Sequence, residues 1–121
     1  MPTGSLMRRG EIRLTDLEPS RGSEANKRRP AVIVSNDAAN AANESRGRGV
    51  VTVVPVTSNI ERVFAFQTLL PATATGLRVD SKAQAEQVRS MAVERVGPLL
   101  GLVPPAVMRE LEQALRLHLQ L

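Results

Sequence analysis

The apolar side chains of this chain follow the spacing of short β-strands over most of its length. Residues 11–17 alternate loosely between apolar and polar, and residues 31–35 and 50–56 are runs rich in β-branched side chains. Residues 63–70 alternate again, and residues 85–92 place Val88 and small side chains on one face. Because side chains on a strand point alternately to its two faces, these five segments are predicted strands.

Stretches rich in proline, glycine and polar residues separate the predicted strands. Residues 18–28 and 58–62 are therefore predicted loops, and residues 71–78 a turn region. Pro30 would occupy the first position of the second strand, where its missing N–H is tolerated.

Two segments have the features of helices. Asn36 or Asp37 can cap a short helix that continues through alanines to about Glu44 and ends before Gly47. Residues 104–119 begin with two prolines and carry apolar side chains at helical spacing, which predicts a C-terminal helix. Together the elements predict a small, strongly curled antiparallel sheet with helical additions.

The length of 121 residues favours one domain, which we place at residues 8–121. Residues 1–7 contain no apolar signal core, so we expect a disordered lead-in or an expression remnant there. A run of about 18 apolar residues, the usual mark of a membrane span, does not occur. The chain is therefore expected to act in the cytoplasm.

Composition removes several classes of active site. The chain has no cysteine and one histidine, His118, which excludes disulfides, a thiol nucleophile and the usual zinc sites. His118 falls in the last turn of the predicted C-terminal helix, where a cation complements the helix dipole. The only aromatic residues are Phe64 and Phe66, so base stacking is not expected to be the main means of binding a nucleic acid.

The charge is modestly basic and locally concentrated. Lysine and arginine exceed aspartate and glutamate by 16 to 12, a net charge of +4. Four of the basic residues lie within 21–29, where Glu24 is the only acidic one. This cluster indicates either a polyanionic partner or a solvated surface, and charge alone leaves both open.

Among polyanions, RNA carries its own nucleophile, the 2′-hydroxyl beside each phosphate. A protein that uses this group needs only to splay the RNA strand, align the attacking and leaving oxygens, and stabilise the negative charge that develops at the phosphorus. Arginine suits the last task because its guanidinium stays charged and offers a planar fork to phosphate oxygens.

Several motifs together resemble the MazF/PemK family of toxin endoribonucleases. A Gly-Ser-Glu loop, an Arg-Pro pair opening a hydrophobic strand and a later Thr-Ser occur in the family's order and spacing. The matching segments are residues 9–12, 16–19, 22–24, 29–30, 32–37, 54–58 and 86–90.

The resemblance implies a mainly β fold with α: an SH3-like small barrel of about five to seven antiparallel strands. A short helix would follow the second strand and another would end the chain. It also implies a homodimer without cofactor or metal that cleaves single-stranded RNA, with mRNA the expected target. The products would carry a 2′,3′-cyclic phosphate and a 5′-hydroxyl, and a MazE-like antitoxin would cover the RNA groove.

The same resemblance assigns catalysis to Arg29 and Thr57. Guanidinium keeps its proton at physiological pH, so we expect Arg29 to stabilise charge on the phosphate rather than to transfer a proton. Thr57 would orient a group at that phosphate. Thr52 is a natural comparison, since alternation along an unbroken strand puts it on the opposite face from Thr57.

A second set of residues is expected to bind RNA through hydrogen bonds and charge, and the loops at 21–28 and 58–62 would select the RNA. The set is Ser23, Glu24, Lys27, Arg28, Ser58, Arg62, Glu86 and Gln87.

One departure from the family pattern and two alternatives remain. Arg13 stands where relatives commonly have Trp or Tyr, which leaves packing or base stacking at that point open.

The alternatives are a non-catalytic toxin of this fold that inhibits DNA gyrase, and a single-strand-binding barrel. The Arg29 and Thr57 pair argues against a gyrase inhibitor. Such an inhibitor would also need an exposed hydrophobic or aromatic anchor at its C-terminus, where residues 117–121 offer leucines and no aromatic residue.

Overall fold

The computed structural model describes residues 7–18 and 27–121, apart from the side chains of Glu18 and Lys27. Ser23 and Glu24 lie outside the described residues. Seven strands and three helices occur in the described part, besides two single turns of 3-10 helix. The strands are β1 Glu11–Glu18, β2 Lys27–Ile33, β3 Val50–Thr57, β4 Gln67–Leu70, β5 Ser81–Gln84, β6 Arg89–Ala92 and β7 Val96–Leu102. The helices are α1 Asp37–Arg46, α2 Ala72–Thr75 and α3 Pro105–Leu119.

All strand pairs are antiparallel, and β3 is the centre of the sheet. The order is β4-β5-β3-β2-β1-β7, and β6 also pairs with β3. The first half of β3, from Val50 to Val53, pairs with β6, whereas Val56 and Thr57 pair with β5. The predicted class, a mainly β fold with a helix after the second strand and a helix at the end, is confirmed.

Two hydrophobic clusters lie on opposite faces of this sheet. Val54 and Val56 pack in the cluster that α3 covers through Met108, Leu111 and Ala114. Val51 and Val53 pack in the second cluster, together with residues from β1, β2 and β6. Since odd and even residues of β3 enter different clusters, the alternation along the strand is unbroken.

The helix predictions agree with the structure. Asn36 caps α1, because its Oδ1 accepts a hydrogen bond from the backbone N–H of Ala39 at 2.8 Å. Gly47 ends α1 at φ 68°, a left-handed conformation that glycine adopts without strain. His118 is exposed near the end of α3, as its position in the last turn implies. Within the described part of the chain, no helix combines the length and hydrophobicity that crossing a bilayer requires.

The start of the second strand was predicted wrongly. Lys27 and Arg28, expected in a loop, belong to β2 and pair with Glu18 and Asp16 of β1. Pro30 consequently lies inside β2 rather than at its first position. The strand tolerates it there because the ladder between β2 and β3 begins only at Ala31.

Four further segments of the sheet differ from the prediction. The fourth strand covers only Gln67–Leu70, and the expected strand at 85–92 is a 3-10 turn, Ala85–Gln87, followed by β6. The strands β5 and β7 were missed. The four residues of β5 are mostly polar, and β7 contains two glycines and a proline, so neither has the pattern typical of a strand.

Candidate active site

The ladder between β2 and β3 aligns the two residues expected to be catalytic. Ala31 pairs with Pro55, and Ile33 pairs with Val53. The same register, continued by two residues, brings Arg29 level with Thr57. Residues two apart on a strand share a face, so the sheet directs both side chains to the same side.

A hydrogen bond from β1 holds the backbone of Arg29, while its side chain is exposed. The hydroxyl of Thr15, which is 1% exposed, donates a hydrogen bond of 2.8 Å to the carbonyl oxygen of Arg29. Among the residues that the structure describes, none forms an ion pair or hydrogen bond with the Arg29 guanidinium. This cation is therefore available to an anionic ligand.

Thr57 is half-buried at the end of β3, directly opposite Lys82 of β5. Its Oγ1 accepts a hydrogen bond of 3.2 Å from the backbone N–H of Asn59. A hydroxyl that accepts from the backbone still has its own O–H to donate. Thr52 lies on the opposite face of β3, as the alternation predicts, and Ser90 of β6 is its partner.

The other predicted RNA-binding residues of β2 do not join this pair. Arg28 is exposed but alternates to the face opposite Arg29, beside Asp16. It lines a surface depression of about 190 Å³ to which Asp16 and Glu94 also contribute. The side chain of Lys27, like all of Ser23 and Glu24, lies outside what the structure describes.

Ser58 follows Thr57 directly and is exposed. It lines an apolar depression of about 270 Å³ with Pro30 of β2, Leu77 and Leu100. The strand end that carries Thr57 therefore borders a hydrophobic hollow.

Arg62 and the loop that contains it are tied to the sheet by Lys82. The Nζ of Lys82 donates a hydrogen bond of 2.6 Å to the carbonyl oxygen of Arg62. Lys82 is 8% exposed, and its strand was missed, so sequence reasoning had no signal to place it opposite Thr57. The loop of residues 58–66 is thus fixed next to the candidate catalytic residue.

Glu86 and Gln87 lie in the 3-10 turn between β5 and β6. One carboxylate oxygen of Glu86, Oε2, accepts a hydrogen bond of 2.8 Å from the side chain of Gln67. The other, Oε1, is buried without a hydrogen-bond partner among the described residues. Gln87 is exposed. Glu86 therefore has a structural contact, whereas Gln87 is free to reach a ligand.

The described residues, 7–18 and 27–121, contain no group of three or more histidine, aspartate and glutamate side chains able to hold a metal ion. The chemistry that the described side chains of the site offer is that of a guanidinium and a hydroxyl directed to the same face of the sheet.

Comparison with known proteins decides the family. A family model described as PemK-like, MazF-like toxin of type II toxin-antitoxin system matches residues 8–119. The chain belongs to this family. Its predicted membership of the MazF/PemK family is thereby confirmed.

Relatives within the PemK/MazF family match over nearly the whole chain. The protein is 62% identical to Endoribonuclease MazF9 of Mycobacterium tuberculosis over 116 residues, which are 96% of this chain and 98% of that protein. A MazF crystal structure from Deinococcus radiodurans is 27% identical with a TM-score of 0.73, covering 96% of this chain and 98% of that one. A MazE-MazF structure from the same organism is 25% identical with a TM-score of 0.69, covering 95% and 97%.

Proposed function

We propose that this protein is the toxin of a toxin–antitoxin pair and acts as an endoribonuclease on single-stranded RNA, with mRNA as its target in the cytoplasm. The main support is that the register of the β2–β3 ladder, continued by two residues, brings Arg29 level with Thr57, while no described residue forms an ion pair or hydrogen bond with the exposed Arg29 guanidinium. Membership of a toxin family and the 62% identity to a protein named as an endoribonuclease point to the same activity.

The proposed reaction uses the 2′-hydroxyl of the substrate. Its oxygen attacks the neighbouring phosphorus and loses its proton, while the bond from phosphorus to the 5′-oxygen breaks and that oxygen gains a proton. The products are a 2′,3′-cyclic phosphate and a 5′-hydroxyl. Arg29 stabilises the negative charge that builds on the phosphate oxygens, and Thr57 donates its O–H to one of them.

The remaining predicted residues are proposed to bind RNA around this centre. Ser58 and Gln87 are exposed and suited to hydrogen bonds with bases or with a 2′-hydroxyl. Arg28 and Lys27 would bind phosphates along the strand, and Ser23 with Glu24 would contact bases from the loop before β2. Glu86 would act mainly by holding Gln67, given their hydrogen bond.

Two protein partners complete the proposal. A MazE-like antitoxin would cover the RNA groove and inhibit cleavage, a partner supported by the MazE-MazF structure of a family member. A second copy of this chain would pair along β7. Among the described strands, only β1 pairs with β7, and Leu99 and Leu102 of β7 are about half exposed. An open strand edge with exposed leucines favours a covered interface.

The test is cleavage of single-stranded RNA by the purified protein in EDTA, followed by mapping of the fragment ends. We expect cutting to persist in EDTA and Arg29→Ala to lower kcat/KM by at least about 100-fold, the scale of losing a main electrostatic stabiliser. Arg109→Ala, which removes an exposed arginine of α3, should cut normally. An oligonucleotide with a 2′-deoxy sugar at the cut position should resist the enzyme.

Thr57 has an internal control on its own strand. Thr57→Val should lower kcat/KM by about 10- to 100-fold, since one hydroxyl donor is lost, whereas Thr52→Val should leave it unchanged. A strict metal requirement, cleavage at the 2′-deoxy position or full activity of Arg29→Ala would contradict the mechanism. Tight RNA binding without any cleavage would favour the single-strand-binding alternative.

A further inference from the structure

The only two aromatic residues of the chain lie together in the loop of residues 58–66. The rings of Phe64 and Phe66 are stacked, with their centroids 5.2 Å apart and their planes within 3° of parallel. Phe64 is 42% exposed although it is among the largest apolar side chains of the protein. A large aromatic side chain is therefore held partly exposed at the surface.

The backbone at Phe64 is fixed on both sides by Gln67. The N–H of Phe64 donates to the side-chain Oε1 of Gln67 at 3.1 Å, and the N–H of Gln67 donates to the carbonyl of Phe64 at 2.9 Å. Gln67 is 8% exposed and is itself bound to Glu86. The ring therefore has a defined position before any ligand arrives, which reduces the entropy lost on binding.

Two cations lie over the ring of Phe64. The guanidinium carbon of Arg62 lies 5.6 Å from the ring centroid, and the Nζ of Lys82 lies 6.0 Å from it. Lys82 also faces Thr57 across the ladder between β3 and β5. Through this one lysine, the exposed ring and the candidate catalytic threonine belong to the same small region.

We infer that Phe64, stacked on Phe66 and with Arg62 over its ring, forms together with that guanidinium a stacking platform for an unpaired base of the RNA next to the scissile phosphate. The inference rests on the proposed function and adds a binding determinant to it. Every base has a flat face, and single-stranded nucleic acids are commonly held by aromatic and guanidinium surfaces. The adjoining cations complement the phosphates on either side of the stacked base.

The first test measures the affinity of the protein for an oligonucleotide with the mapped cut sequence. A 2′-deoxy sugar at the cut position keeps the oligonucleotide uncut. A series of such oligonucleotides carries one abasic site each, at every position in turn. Wild-type protein should lose about 5- to 100-fold in affinity at one abasic position beside the cut, the usual effect of removing one stacked base. Phe64→Leu should bind the intact oligonucleotide with the same loss of affinity, and the abasic site should not lower its affinity further.

Val63→Ala is the matched control, because Val63 is the neighbouring residue and is 41% exposed against 42% for Phe64. It should bind and respond to abasic sites as the wild type does. Thermal melting should show that Phe64→Leu is folded. If this variant is unfolded, Phe64→Tyr replaces it as a conservative variant and should bind RNA as the wild type does. In that case the fluorescence of Phe64→Trp decides the question.

Phe64→Trp introduces the only tryptophan of the chain, so its fluorescence reports on this position alone. The intact oligonucleotide should quench it, and the abasic oligonucleotide that weakens wild-type binding should not quench it at saturation. Equal quenching by both, or unchanged abasic sensitivity in Phe64→Leu, would overturn the platform. So would a loss of antitoxin binding in Phe64→Leu with RNA affinity unchanged.

Failure of the endoribonuclease proposal can be told apart from failure of the stacking platform. A wild-type protein that cuts no RNA would contradict the endoribonuclease assignment. Quenching of the Phe64→Trp variant by oligonucleotides of varied sequence would still establish or refute base stacking at this loop.

Discussion

At the level of single residues, Arg13 shows how this chain replaces a feature expected of its family. It is 6% exposed and lies where an aromatic residue is common. Its guanidinium pairs with the carboxylate of Glu11 at 2.8 Å and donates to the carbonyl oxygen of Gly97 in β7 at 3.2 Å. The buried ion pair lies within β1, and the hydrogen bond to Gly97 joins it to β7. Arg13 therefore acts in packing rather than at the RNA surface.

Removal of one partner from this pair should be costly. Arg13→Met leaves the buried carboxylate of Glu11 uncompensated, so the free energy of unfolding should fall by about 3 kcal/mol. Urea denaturation followed by circular dichroism measures the loss. The double variant Glu11→Leu with Arg13→Met should recover most of it, because neither charge is then buried alone. A single variant as stable as the wild type would mean that the pair contributes little.

At the level of elements, the loop of residues 58–66 depends on strands that lie far from it in the sequence. Gln67 of β4 binds Phe64, Lys82 of β5 binds Arg62, and Glu86 supports Gln67. Through these contacts the loop after β3 gains a defined shape beside Thr57. The loop was predicted from composition at 58–62, and its continuation to residue 66 follows from the short β4.

Loss of the Gln67 side chain should loosen this loop. Gln67→Ala removes an acceptor for the Phe64 amide and a donor for half-buried Glu86, so stability should fall by about 1–3 kcal/mol. Amide exchange of residues 62–66, measured by mass spectrometry, should rise more than exchange in β1 or β2. Gln87→Ala, at an exposed glutamine nearby, should change neither quantity. Equal protection of the loop in both variants would show that Gln67 is not its anchor.

At the level of the whole molecule, two groups of exposed leucines lie on β7 and on the last helix. Leu99, Leu100 and Leu102 of β7 are exposed beside the hollow that Pro30 and Ser58 border. Leu117 and Leu119 are exposed on α3. A homodimer along β7 would cover the first group and would set the two candidate active sites near the interface.

A charge on β7 should separate the proposed dimer. Leu102→Glu should convert it to monomers in light scattering coupled to size-exclusion chromatography, because an isolated carboxylate is costly to bury. Leu117→Glu is the matched control, since both leucines are 56% exposed. Dissociation by Leu117→Glu alone would place the interface on α3 instead, and a wild-type monomer would contradict the dimer altogether.

The sequence by itself determined the features that depend on local pattern. The β-branched runs indicated β2 and β3, the Asn36 cap and Gly47 delimited α1, and the amphipathic spacing indicated α3. The lack of cysteine and the single histidine excluded most nucleophiles and zinc sites, and the motif around Arg29 and Thr57 indicated the family. Each of these signals can be read from composition or from the order and spacing of residues along the chain.

Only the tertiary structure decided what depends on contacts between distant segments. The strands β5 and β7 are polar or rich in glycine and proline, so their pairing partners rather than their propensities make them strands. The position of Lys82 opposite Thr57 follows from that pairing, and so does the anchoring of Arg62 and Phe64. From the count of two phenylalanines, base stacking was not expected to be a main means of binding. In the folded protein the two rings stack on each other with Phe64 partly exposed. A binding surface depends on which residues are close in space, and composition does not show this.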